Sequence, residues 1–297
     1  LQTLTNRRNP DTTLSPNSIA KHLKTLRAIL NKAADDGLIQ PYEIPRKLIS
    51  VKEIPPTITG LQDEELNKLI TLPIKENTDR WNARNLFLFA MYEGGIRIGD
   101  IIQLRWRNIV GDRLIYVMTK NGKQVNVILV QEAKKILMRY KRQGQRPEHY
   151  IFPYLDSSAE YAKYLDYEDR QKMPPDISKK LFETINAREA RIGMMLREIR
   201  ALTGIPHLTF HTARHTFALR AKEANVDNTT LKNILKHSSL NTTETYVKKL
   251  DCRSEDAAMR VMYLDKARKN KEKKRIIKQI QKLGFSTEEL IELLAGD

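Results

Sequence analysis

The sequence predicts a mainly α-helical protein carrying one small β-hairpin or sheet, and three features lead to that reading. Apolar residues recur at three- and four-residue spacing behind a helix-opening signal, Ser15-Pro16. Residues 84–91, RNLFLFAM, are mostly apolar and fit a buried helix. Asn121-Gly122 stands between two β-prone runs, a strong short-range hairpin signal because both residue types tolerate positive φ. A length of 297 residues suits one large domain or two smaller ones, with enough chain to bury a core.

Taken in order, residues 1–14 are polar and turn-rich, and their fold is open. The first helix follows Ser15-Pro16 with Ile19, Leu23, Leu26, Leu30 and Ala33 on one stripe, and Gly37 is placed to end it. Pro41, Pro45, Pro55 and Pro56 mark a linker. A second domain starts near residue 57: Asp63, Glu64 and Glu65 sit where acids favour a helix N-terminus. Gly94-Gly95 breaks the apolar helix, and a short helix is expected over 100–104. Strands are expected over 114–118 and 125–130. The rest reads as helices separated by loops, with a longer polar stretch at 142–177. The expected division is 1–56, 57–260 and a basic tail with a short helix at 261–297.

Composition narrows the function classes. Lys and Arg total 52 against 36 acids, a net charge of +16, which points to a polyanionic partner with nucleic acid first. Residues 266–282 hold nine basic residues and one acid, Glu272, so half the surplus sits in the tail. That run fits a solvated basic helix and a phosphate-contacting tail equally. The single cysteine, Cys252, excludes a disulfide framework and fits a reducing cytosol. No run of about 18 apolar residues suggests a membrane span.

The chemistry-bearing residues come in an ordered series. His211-Thr-Ala-Arg214-His215 places two imidazoles and a guanidinium on one helix face. A metalloprotease reading fails, because Thr212 follows the first His where a glutamate is needed. An imidazole beside a guanidinium suits a phosphate. Alone, the pair is better read as two satisfied side chains. Gly94-Gly95-Ile96-Arg97 and Asp100 stand upstream, Lys120 lies in the hairpin turn, and His237 and Tyr246 follow downstream. One nucleophile, two arginines, two histidines and a lysine are what phosphoryl transfer without a metal needs.

With these residues in view, the chain resembles the tyrosine recombinase (phage integrase) family over roughly 57–250, and residues 15–44 resemble the last helices of that family's core-binding domain. The resemblance implies a catalytic domain preceded by a partial helical core-binding domain, and cofactor-free cleavage and rejoining of DNA. Tyr246 would attack the scissile phosphate to give a 3′-phosphotyrosyl link. Arg97 and Arg214 would clamp the phosphate, His211 would accept a proton or orient, Lys120 would donate one to the 5′-oxygen, and His237 would add a phosphate contact. Asp100 takes a supporting role, and Lys123 rivals Lys120 across the same turn. Lys123, Arg105 and Lys236, with Lys273, Lys274 and Arg275 of the tail, are candidate DNA contacts. Arg105 also fits ordinary surface charge. Lys236 stands where the family often has glycine, which adds a phosphate contact or alters a helix cap. His22, His149 and His207 match nothing in the family pattern and read as structural, and Trp106 reads as core.

The implied partners are double-stranded recombination sites, three further copies in a tetramer on DNA, and accessory bending or excision factors, in the cytoplasm at the nucleoid. The implied outcome is integration or excision of a mobile element. Only about 56 residues precede the end of the linker, so the chain is expected to begin inside the core-binding bundle. Ser286 to Glu289 forms a capping-box pattern opening a helix with Leu290, Ile291, Leu293 and Leu294 on one side; it folds back in cis or docks on a neighbouring protomer. A type IB topoisomerase-like enzyme and a non-catalytic DNA-binding protein are the rival readings.

Overall fold

The computed structural model describes residues 5–6, 9–40 and 59–236. His237, Tyr246, Lys273, Lys274, Arg275 and the helix expected after Ser286 lie outside the described residues. Chain contacts divide the protein into two units, Leu1–Thr57 and Ile58–Asp297.

In the first unit, β1 (Thr5–Asn6) and β2 (Asn9–Thr13) pair antiparallel ahead of α1 (Pro16–Asp35). The hairpin replaces what reads from sequence only as a polar stretch. Ser15 caps α1, its hydroxyl accepting from the Ser18 amide at 3.2 Å. Of the expected apolar stripe, Leu23 is buried along with Ala20, whereas Leu26 is 45% exposed.

The second unit is helical around one buried element. α2 (Asp63–Thr71) opens with the Gln62 amide donating to the Glu65 carboxylate at 2.9 Å. α3 (Asp79–Tyr92) is buried at Trp81 and at every position from Ala83 to Met91. It packs against α5 (Gln131–Tyr140), α7 (Pro175–Thr203) and α8 (Phe210–Glu223). Phe87 and Phe89 are fully buried, and each such side chain contributes about 1.5–3 kcal/mol. Edge-to-face contacts of Phe152 with Phe89 and Tyr140, at 5.4 and 5.0 Å between centroids, join α3 to α5. The buried amide of Asn85 donates to the Tyr140 hydroxyl at 3.3 Å, so this fully buried polar side chain is satisfied.

α4 (Ile98–Ile102) follows the Gly94-Gly95 turn. A three-stranded antiparallel sheet comes next, ordered β3 (Ile109–Val110), β4 (Arg113–Val117), β5 (Gln124–Ile128). The register of β4 and β5 ends at Val117 opposite Gln124. The turn between them holds Asn121-Gly122. Gly122 alone takes positive φ (+63°), and the Met118 amide donates to the Lys123 carbonyl at 3.0 Å, giving a four-residue loop. α6 (Tyr167–Gln171) lies within the polar stretch, and α9 (Asn228–Leu235) follows α8. Among the described residues, no helix is long and apolar enough to cross a membrane.

Candidate active site

Three segments of the second unit converge: the α3–α4 turn, the start of α8 and the β4–β5 loop. The turn is shaped by Gly95, at φ +70°. A Cβ there would lie 2.8 Å from both Cα and Cγ of Arg214, so only glycine lets α8 come this close. Arg97, half-buried, then caps α4, its carbonyl accepting from the Asp100 and Ile101 amides at 3.0 and 2.9 Å. Its Nη1 lies 3.8 Å from Met118 Sδ, a weak acceptor, and no carboxylate among the described residues forms an ion pair with it.

Arg214 is 5% exposed and spans the site. Nη1 donates to the Gly95 carbonyl at 2.9 Å, and Nη2 to the Leu235 carbonyl at 2.6 Å. The guanidinium therefore ties the turn that carries Arg97 to the end of α9, two residues before His237. His211 and His215 stand edge-to-face with centroids 4.5 Å apart. Partial desolvation lowers the His211 pKa, and the positive charges of Arg214 and Arg97 lower it further. His215 is pushed down to about 4 by burial, then by His211 and Arg214, so its ring is neutral at pH 7.

Asp100, 6% exposed, accepts from the Thr119 amide through Oδ1 at 2.9 Å. That bond pins the residue immediately before Lys120 to α4. Lys120 and Lys123 are both exposed in the loop, Lys120 on the pinned leg and Lys123 on the leg returning to β5. Tyr116, just inside the hairpin, has its hydroxyl pKa raised by burial and by Asp100, with Arg214 and Arg97 opposing.

The structure corrects the placement of Arg105. It is 2% exposed, and its guanidinium donates to the carbonyls of Glu148 and Ala162 and to the Tyr150 hydroxyl, while stacking 4.1 Å from the Tyr150 ring. Arg105 therefore braces the 148–162 segment from a buried position, not from the surface. Lys236 caps α9 in the left-handed region (φ +52°), half-buried. Trp106 packs against the core, and His149 Nδ1 accepts from the Arg146 amide at 3.4 Å.

Sequence reasoning passed over three residues at this site. Glu93, 2% exposed at the end of α3, accepts from the Val130 amide at 3.1 Å, and burial raises its carboxyl to about 7. Gln103 touches the Lys120 loop from α4 and is itself touched by Arg170 from α6. Glu93 precedes the Gly-Gly break and Gln103 lies three residues after Asp100, which are the positional signals that could have found them; Arg170 carries none. Among the described residues there is no cluster of three His, Cys, Asp or Glu side chains able to hold a metal ion.

A model of the phage integrase family matches residues 60–253. The tyrosine recombinase XerA of Thermococcus kodakarensis is 25% identical over 211 residues, covering 71% of this chain and 62% of that protein. The tyrosine recombinase XerD of Xanthomonas axonopodis pv. citri is 26% identical over 243 residues, covering 78% of this chain and 72% of its own length. The chain thus spans less than two thirds of the XerA relative. Two structures of the Tn1549 transposon integrase, one in complex with circular intermediate DNA and one with transposon right end DNA, share the fold at TM-score 0.50. Each is 16% identical, over 83% of this chain and 79% of the other. With the family model matching well over half its length, the chain belongs to the phage integrase family.

Proposed function

We propose that this protein is a site-specific tyrosine recombinase that cleaves and rejoins DNA through a 3′-phosphotyrosyl intermediate. The observation that carries the reading is Arg214, buried and bonded to both the Arg97 turn and the α9 end, with His211 one turn away and the Asp100-pinned Lys120 loop alongside. Such an arrangement presents fixed positive charge where a phosphate gains charge in the transition state, and little of it needs to reorganise. Chemistry of this kind needs no ATP, since each broken phosphodiester is stored as a phosphotyrosyl ester.

In the proposed step, Tyr246 Oη attacks phosphorus and the bond from phosphorus to the 5′-oxygen breaks. The tyrosine proton passes to His211, whose lowered pKa leaves it neutral at pH 7 and able to accept. Lys120 gives a proton to the departing 5′-oxygen, favoured over Lys123 because its leg of the loop is the one pinned to α4. Arg97, Arg214 and His237 hold the non-bridging oxygens. A 5′-hydroxyl from a partner strand then reverses the step. The substrate is double-stranded DNA with two recombination sites. Four copies of the chain act together, with accessory bending or excision factors, to integrate or excise a mobile element. The DNA-bound states of the Tn1549 transposon integrase support that substrate class.

The test is covalent trapping on nicked suicide duplexes carrying the ends of the element that encodes the chain, in EDTA, beside Tyr246→Phe. An SDS-stable protein–DNA adduct that the variant fails to form is expected. Tight binding without an adduct overturns the reading in favour of a non-catalytic binder.

A further inference from the structure

The loop bearing Lys120 is exposed, yet it is gripped from below by two helices. Thr119 is held twice: its amide donates to Asp100 Oδ1 at 2.9 Å, and its hydroxyl accepts from Gln103 Nε2 at 3.3 Å. Gln103 is 8% exposed and fully engaged, with Nε2 also donating to the Gly99 carbonyl at 2.7 Å. Its Oε1 accepts from Arg170 Nη1 at 3.4 Å, which links α4 to α6. On the other leg, a Cβ at Gly122 would lie 3.3 Å from the Tyr167 hydroxyl, so α6 also abuts the loop directly. These groups line one cleft of about 230 Å³ under the hairpin, with Asp100, Gln103, Thr119, Tyr167 and Arg170 among its walls.

We infer that Gln103 and Arg170 are positioning residues that set where the Lys120 ammonium meets the leaving 5′-oxygen. The inference rests on the proposed role of Lys120 as proton donor. A β-hairpin tip with only its own hydrogen bonds samples several positions, and general-acid catalysis needs the donor within hydrogen-bond reach of one atom. Asp100 fixes one backbone point of the loop. A second point, the Thr119 hydroxyl, fixes its rotation, and that point belongs to Gln103. Gln103 in turn keeps its orientation because Arg170 occupies its oxygen, leaving the nitrogen for Thr119.

The full chain would be assayed on two nicked suicide duplexes, one with the natural 5′-oxygen at the scissile phosphate and one with sulfur in its place. A thiolate leaves without needing a proton, so loss of the proton donor slows the first substrate and spares the second. Lys120→Ala is expected to cleave the oxygen substrate about 100-fold slower or worse, with the sulfur substrate cleaved close to the unmodified rate. Gln103→Leu should show the same pattern at roughly 10- to 100-fold. The double variant should be no slower than Lys120→Ala alone, because both act through one group. Arg170→Gln, a change at a half-buried rim, carries the same test should Gln103→Leu fail to fold.

Equal slowing on both substrates would assign these residues to fold maintenance and overturn the inference. So would a Gln103 or Arg170 variant as fast as the unmodified chain. A failure of the underlying reading looks different: the unmodified chain cleaves neither substrate, or sulfur does not restore Lys120→Ala. Either result overturns the inference together with the role of Lys120.

Discussion

The two sides of the candidate site are built differently. On the α3–α4 and α8 side, Arg214 is buried, Gly95 admits it with no room to spare, and two backbone carbonyls hold its guanidinium. On the hairpin side, Lys120 is exposed and is held through the loop around it, chiefly by its neighbour Thr119. Fixed donors suit a phosphate that stays in place while charge develops on it. An exposed ammonium suits a proton that must be delivered to a departing atom. Stability and activity should therefore fail together on the first side and separate on the second.

The largest effect is expected at Arg214→Ala. Cleavage should fall by about 1,000-fold or more, as for loss of a preorganised charged donor. The same change leaves the Gly95 and Leu235 carbonyls without that partner, and a charged hydrogen bond is worth roughly 1.5–3 kcal/mol. Urea denaturation should show a loss of about 3 kcal/mol. Lys120→Ala, by contrast, should leave the midpoint within about 0.5 kcal/mol of the unmodified chain, as exposed substitutions do. An Arg214→Ala protein of unchanged stability would break the comparison.

Gly95→Ala probes the same side without removing a charge. The new Cβ would meet backbone and side chain of Arg214 at 2.8 Å, in a φ region that L residues disfavour. Strain of this kind costs of order 1–3 kcal/mol, and thermal unfolding should show it. Because the turn also carries Arg97, cleavage should slow beyond what the unfolded fraction accounts for.

Glu93 sits between the two sides, closing α3 and holding the chain where β5 leads into α5. Its folded pKa, about 7, lies above the ordinary 4.5, so between those values the folded state binds the proton more tightly and stability falls as pH rises. Glu93→Gln keeps an acceptor for Val130 and cannot ionise. The variant should gain on the unmodified chain as pH rises, reaching about 3 kcal/mol at pH 8. His215 acts in the opposite sense, since its folded value of about 4 makes stability fall as pH drops below 6.5. Both proteins carry it, so the difference between their denaturation midpoints at pH 5 and pH 8 isolates Glu93.

How far each part was legible in sequence follows from how local its causes are. The α1 cap at Ser15, the acid-led start of α2, the buried run of α3 and the placing of His211 and Arg214 on one helix face depend on spacing and neighbouring residues. The hairpin itself was legible from Asn121-Gly122 between two β-prone runs, but which residue takes positive φ was not: Gly122 alone lies in the left-handed region, within a four-residue loop. Arg105 was misplaced for a different reason. Arg105, with Arg107 two positions on, reads as surface charge, and only the folding of residues 148–162 around it supplies the oxygens that bury it. Gln103 and Arg170 meet across 67 positions of chain, a pairing that no local pattern encodes. Legibility thus ends where a residue's role is set by distant partners.

The smallest expected effect is at Lys236, where the family's frequent glycine is absent. Its φ of +52° is a conformation in which glycine meets no Cβ penalty. Lys236→Gly should stabilise the protein by roughly 1 kcal/mol, since a non-glycine residue there carries about that strain. Thermal unfolding reads the gain directly. DNA affinity measured at two salt concentrations separates the two roles that sequence leaves open for this lysine. If Lys236 contacts a phosphate, the glycine variant binds more weakly and its salt dependence is shallower by about one counterion. If the residue acts only as a cap, stability rises while affinity and salt slope stay put. That second pattern is the one the cap geometry favours, because Lys236 closes α9 through its backbone amide, which donates to the Lys232 carbonyl.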